Sequence, residues 1–122
     1  MQLHSDHADV QMVTAYGPGW IAVDKIEHQG NIVMASSGFL RPWNCTSFDS
    51  LTAEHFAALA ELNAELIIFG SGAKLRFVHP SWLQPLMAKR IGFETMDTHA
   101  ACRTYNVLAA EGRNVIAALI LE

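Results

Sequence analysis

Residues 66–74 read LIIFGSGAK. An apolar run with two isoleucines and a phenylalanine stops at a glycine. So short a run, with no polar alternation, suits a strand covered on both faces. A second run of the same kind, VIAALIL at 115–121, is expected near the centre of the same sheet.

Around these runs the spacing of apolar residues becomes helical. Thr52 is placed to cap a helix, Glu54 sits in its first turn, and Phe56, Leu59, Ala60 and Leu62 recur on one stripe. KLRFV (74–78) reads as a further short strand, and His79-Pro80 opens a second helix. A proline inside a helix loses a hydrogen bond, so the regular part begins at Ser81 or Trp82, with Pro85 in its first turn. Leu83, Leu86, Met87 and Ile91 are expected to face the core, with Gly92 as the left-handed stop. FETM (93–96) reads as a strand. Asp97 or Thr98 then caps a third helix, with Ala101, Tyr105, Leu108 and Ala109 on one face and Gly112 at its end.

The first third of the chain is β-rich. VQMVTAY (10–16), WIAVDKIEH (20–28) and NIVMAS (31–36) read as strands, with Gln29-Gly30 turning the last two into a hairpin. Residues 37–51, around FLRPWN, read as a connection, and residues 1–9 as a flexible polar tail. Strands first, then helices alternating with strands, give an α/β domain over residues 10–122. Its mixed central sheet should have about five strands, with helices packed on it and an N-terminal β-hairpin region.

At 122 residues the chain fits one core, and 51% apolar content supplies it. Eight basic residues against twelve acidic ones give a net charge of −4. That balance disfavours nucleic acid, which needs clustered Lys and Arg, and disfavours an anionic membrane surface for the same reason. Cys45 and Cys102 are expected to be reduced, as in the cytosol. MQLHSDHADV has neither the features of a secretory signal nor the arginines of a presequence, and no run is long enough to span a bilayer. The expectation is a cytoplasmic protein, not membrane-integral, with no cofactor and no metal.

The glycines at 70 and 72 invite three readings, and each fails on spacing. A Walker loop needs four residues between its glycines, a dinucleotide fingerprint a third glycine where Leu75 stands, and a nucleophile elbow glycines where Phe69 and Ala73 stand. What remains is a strand end whose amides could serve a small anion or nucleotide, through Gly70, Ser71 and Gly72, or a simple turn. His4, Asp6, His7 and Asp9 lack a framework to hold a metal, and His28, His55, His79 and His99 lack zinc-like spacing. His99 and Cys102 would be neighbours on one helix, but Cys102 among alanines reads as packing. No carboxylate pair stands out for acid–base work. Arg41, Trp43 and Trp82, near turns or element starts, are candidates for contacting a protein partner or for closing the ends of the core.

The stretch M-D-T-x-x-A-C-R-T-Y-N-x-L-x-x-E-G-R-x-V-x-A-A-L, from Met96 to Leu119, resembles a known family. That family includes the mitochondrial respiratory complex I assembly factor 3 and bacterial and archaeal relatives of unknown function, the Mth938-like domains. FGSG at 69–72 and SSGFLRPWN upstream extend the match. The resemblance implies a three-layer α/β domain and, for mitochondrial members, a role in assembling a respiratory complex. It implies a protein partner and no catalytic residue; with no presequence to be read in MQLHSDHADV, a bacterial member is expected. Within it, Thr98, Arg103, Asn106 and Arg113 are either the furniture of a capped helix or a polar cluster for a ligand or partner.

Overall fold

The computed structural model describes residues 10–122, so the expected tail at 1–9 lies outside the described residues. Two sheets form. β1 (Val13–Gly17), β2 (Trp20–Val23) and β3 (Ile26–His28) make a small antiparallel meander. β4 (Ile32–Ala35), β5 (Leu40–Pro42), β6 (Leu66–Gly70), β7 (Gly92–Met96) and β8 (Val115–Leu119) make the main sheet, in the order β5-β4-β8-β6-β7. β6 runs parallel to both β7 and β8, while β4 is antiparallel to β5 and to β8. The central sheet is therefore mixed and five-stranded, with β8 at its middle.

The apolar runs explain that placement. In β8 and the residue after it, Val115, Ala117 and Leu119 face one core while Ile116, Ala118 and Ile120 face the other. Ile67 and Phe69 of β6 join the second of these cores and Ile68 the first. A strand with no solvent face has no need of polar residues. On one side α1 (Ala53–Ala60) and α2 (Gln84–Ala88) cover an aromatic cluster of Trp43, Phe56 and Phe69. On the other lie α3 (Thr98–Ala110) and the small meander. The result is the expected three layers.

Several local expectations give way. The hairpin turn is not Gln29-Gly30. Asp24 and Lys25, at φ 49° and 71°, join β2 to β3, with Val23 opposite Ile26. This is a two-residue loop with both residues left-handed, as a strand-matching turn requires. After Gly30 the chain leaves the meander for the main sheet, where β4 pairs with β8 instead of β3. Residues 40–42, expected as connection, form the edge strand β5.

Residues 74–78 form no strand. Ser71 Oγ donates to the Lys74 carbonyl at 2.7 Å and accepts the Arg76 amide at 2.9 Å, so a side chain takes the place of a ladder. Gly92 lies inside β7, and it is Arg90 that turns left-handed, at φ 58°. The amide of Ile91 donates to Leu86 O and that of Arg90 to Met87 O, both at 3.0 Å, which is the Schellman closure. Met87 is exposed, not in the core.

Other helix ends follow the sequence. The Thr52 amide donates to His55 Nδ1 at 2.9 Å, and His79 Nδ1 accepts the Ser81 amide at 3.2 Å. The second helix differs in its start: a short 3-10 turn, Pro80–Leu83, stands where the regular helix is expected from Ser81 or Trp82, and α2 begins at Gln84 with Pro85 in its first turn. Asp97 caps α3 by accepting the Ala100 amide at 3.0 Å, and Gly112, at φ 83°, closes it.

Candidate functional site

β6 leaves the sheet through α2 on one face to reach β7. β7 leaves through α3 on the other face to reach β8, which lies on the far side of β6. The carboxyl ends of β6 and β8 are thus a switch point, where open α/β sheets leave a crevice. A cleft of about 230 Å³ lies there, lined by Gly17–Trp20 of the β1–β2 turn, Gly72, Ala73, Asp97–His99 and Ile120–Glu122.

The Gly70–Gly72 loop is bound into this corner from within. The Ser71 amide donates to Met96 O at 2.8 Å. The Gly72 amide donates to the Thr98 hydroxyl at 2.8 Å, and that hydroxyl donates to Ile120 O at 2.7 Å. A Cβ on Gly70 would stand 2.9 Å from Thr98 Oγ1 and 3.0 Å from Thr98 Cα, so glycine lets α3 approach the strand end. Gly72 takes φ 107°, and a Cβ there would press on Arg76 and Glu122. Arg76 donates twice to Ser71 O, pairs with Glu122, and lies 4.3 Å from the centre of the Phe48 ring.

On the other wall His99 Nε2 is 3.0 Å from Gly17 O, and its ring stacks on Tyr16 at 4.3 Å. Arg103 donates to the Tyr16 hydroxyl at 2.6 Å, and this bond holds the guanidinium pKa above its ordinary value. Cys102 is fully buried beside these residues, and desolvation pushes its thiol up to about 12. Its side chain packs in the core with Ala101, Tyr105 and Ala109. Cys45 is also raised by burial, and both cysteines are free. Among the described residues no group of three or more His, Cys, Asp or Glu is placed to hold a metal ion.

A family model described as "Protein of unknown function (DUF498/DUF598)" matches residues 13–120. The chain belongs to this family. Among its relatives is the mouse NADH dehydrogenase [ubiquinone] 1 alpha subcomplex assembly factor 3, 39% identical over 80 residues. That match takes in 64% of this chain but only 43% of the mouse protein, so it spans less than half of that relative. A crystal structure of a Bordetella parapertussis protein superposes with a TM-score of 0.86 at 37% identity, covering 93% of this chain and 97% of that one. A solution structure from Bordetella pertussis, described as a Mth938-like domain, gives 0.77 at 33% identity, covering 91% and 85%. The resemblance carried by Met96–Leu119 therefore holds over nearly the whole described chain.

In this family member the remaining candidates disperse. Gly70, Ser71, Gly72 and Thr98 meet in the corner. Arg103 stands one turn away, turned to Tyr16. Asn106 faces β1, accepting the Val13 amide at 2.9 Å and donating to its carbonyl at 2.8 Å. Arg113 pairs with Glu65 at 2.8 Å, and that hydrogen bond holds the Glu65 carboxyl below its usual range. Trp43, a candidate partner contact, is 7% exposed and packs edge-on against Phe56 and Phe69. Trp82 is half-buried over Phe56. Arg41 is exposed and lies 4.8 Å from the centre of the Phe39 ring. Exposed apolar residues stand at other places: Phe77 is 71% and Leu75 54% exposed on the loop after Gly72, while Ile26, Met87 and Val107 are exposed singly on other elements. Sequence reading missed Phe77 and Leu75 by taking 74–78 as a strand. Asp97, Trp20 and His99 line the cleft without having been singled out as a ligand set.

Proposed function

We propose that this chain is a non-catalytic protein-binding module that assists assembly of the NADH dehydrogenase complex, the role that the name of its mouse relative describes. The observation that carries the reading is Phe77, 71% exposed beside Leu75 on a loop that Ser71 and Arg76 brace from inside. Aromatic residues dominate the buried centres of protein interfaces. A braced loop presents Phe77 without a large ordering cost on binding. The Ser71 and Gly72 amides already donate within the protein, which leaves the loop poorly furnished for the alternative of an anion or nucleotide. No helix among the described residues is long and apolar enough to cross a membrane.

The test is quantitative affinity purification of the tagged chain from its native cells, beside a Leu75→Asp/Phe77→Asp variant. The expected result is enrichment of NADH dehydrogenase subunits with the wild type and its loss with the variant. If wild-type protein enriches none of those subunits, the assembly role is wrong. Full retention by the folded variant would show that the contact lies elsewhere.

A further inference from the structure

We propose that the cleft between Trp20 and Asp97 binds a small organic amine, its ammonium held by the Asp97 carboxylate and its apolar body against Trp20. The inference is independent of the assembly role.

Position comes first. The cleft exists because the chain leaves β6 and β7 on opposite faces of the sheet, so it is a product of topology. At about 230 Å³ it is smaller than the roughly 300–1,000 Å³ of pockets for drug-sized ligands. Its occupant is correspondingly small.

Hydrogen-bond supply and demand decide the sign of charge. The amides of Ser71, Gly72, Thr98 and Ala100 donate to Met96 O, Thr98 Oγ1, Gly72 O and Asp97 Oδ1, at 2.8 to 3.0 Å. The Thr98 hydroxyl spends its proton on Ile120 O. Most of the donors that would hold an anion are therefore occupied. Acceptor capacity is not. A carboxylate offers about four lone-pair sites, and Asp97 uses one oxygen for the Ala100 amide, leaving Oδ2 without a partner among the described residues.

Charge points the same way. The start of α3 carries a partial positive charge of about half a unit, smaller than the full negative charge of Asp97. The Glu122 carboxylate is matched by Arg76, and Arg103, whose charge the Asp97 carboxylate also favours, gives its hydrogen bond to the Tyr16 hydroxyl and leaves the Asp97 oxygens unbonded by it. The walls supply the rest. Trp20 folds back on Gly17, where an added Cβ would stand 2.7 Å from indole Cε2, and Pro18, Ile120 and Leu121 also line the space. Indole is the best aromatic partner for a cation. His99, fixed on Gly17 O and Tyr16, closes the side.

The test is an amide-resolved NMR titration of the full chain with 2-phenylethylamine and, separately, with 3-phenylpropionate, an acid of similar size and opposite charge. Millimolar affinity is expected for so small a ligand. The amine should shift Gly17–Trp20 and Asp97–His99 saturably, and the acid should not. Asp97→Asn, which keeps the helix cap because Asn caps as well as Asp, should weaken the amine about tenfold. Saturable binding of the acid as tight as the amine, no saturable shift with either probe, or unchanged amine binding by folded Asp97→Asn would each overturn the proposal. The comparison of the two probes is made on the wild-type chain, so it stands whatever the variant does.

Discussion

The Thr98 hydroxyl donates to the Ile120 carbonyl at 2.7 Å while accepting the Gly72 amide at 2.8 Å, so one oxygen ties the start of α3 to β6 and β8 together. Thr98 is buried. Thr98→Val keeps the shape and removes that oxygen. A buried donor and a buried acceptor then lose their partner, at about 1–3 kcal/mol each. Urea unfolding should show a loss of about 2–4 kcal/mol with an unchanged slope. Thr98→Ser keeps the bridge and should lose only about 1 kcal/mol. Equal losses for Val and Ser would mean that packing, not the bridge, holds the corner.

Asn106 acts as a strand partner for β1, since its amide meets both the N–H and the C=O of Val13. Asn106→Asp puts an acceptor against the Val13 carbonyl and should loosen β1 from α3. The Val13 amide should then exchange with solvent at least about tenfold faster, while amides of β8 keep their protection. Tyr105, whose hydroxyl donates to Gln11 O at 2.7 Å, keeps the neighbouring chain in place. Uniform acceleration across both sheets would show instead that the substitution unfolds the whole domain.

How far each element could be read ahead follows from where its determinants lie. LIIFG and VIAALIL were legible because a strand buried on both faces writes its burial into its own residues. The Asp97 cap and the Gly112 stop were legible because capping is local. The turn at Asp24-Lys25 was not, since neither residue is glycine and both adopt positive φ under pressure from the pairing of β2 with β3. The corner around Gly72 was half legible. Its glycines marked a strand end, but the hydroxyl that fills it comes from Thr98, 26 positions away. Trp43 fits an interface or a core equally well by composition, and only Phe56 and Phe69 from distant elements decide for the core.

Arg90 ends α2 in a left-handed conformation at φ 58°, where a side chain costs about 1–2 kcal/mol that glycine avoids. Arg90 is exposed, and among the described residues its side chain makes no ion pair within 4.0 Å. Arg90→Gly relieves the strain but gives the unfolded chain more freedom. The net effect should be a gain of about 0.5–1 kcal/mol, seen as a raised melting temperature. Arg90→Val, β-branched at the same angle, should lose stability. A glycine variant less stable than the wild type would show that the arginine side chain contributes something the closure does not need.

Cys102 links stability to alkaline pH. Burial holds its thiol protonated up to about 12, against an ordinary value of 9.0. Between those values the unfolded chain has released the proton and the native chain has not. The native state then binds more protons, so stability must fall as pH rises, by at most about 1.4 kcal/mol per pH unit from this one group. Below pH 9 both states keep the proton, and the group contributes no slope. Tyr105, raised by its own burial from 10.0, adds to the fall at higher pH. Cys102→Ala removes the first contribution and leaves the second. The measurement is the difference in unfolding free energy between wild type and Cys102→Ala at about pH 8 and about pH 10. The variant should be the less stable at the lower pH, because it leaves a small cavity, and should close the gap at the higher. Parallel profiles would mean that the thiol ionises as readily in the native core as in the open chain, and that Cys102 is reachable by solvent.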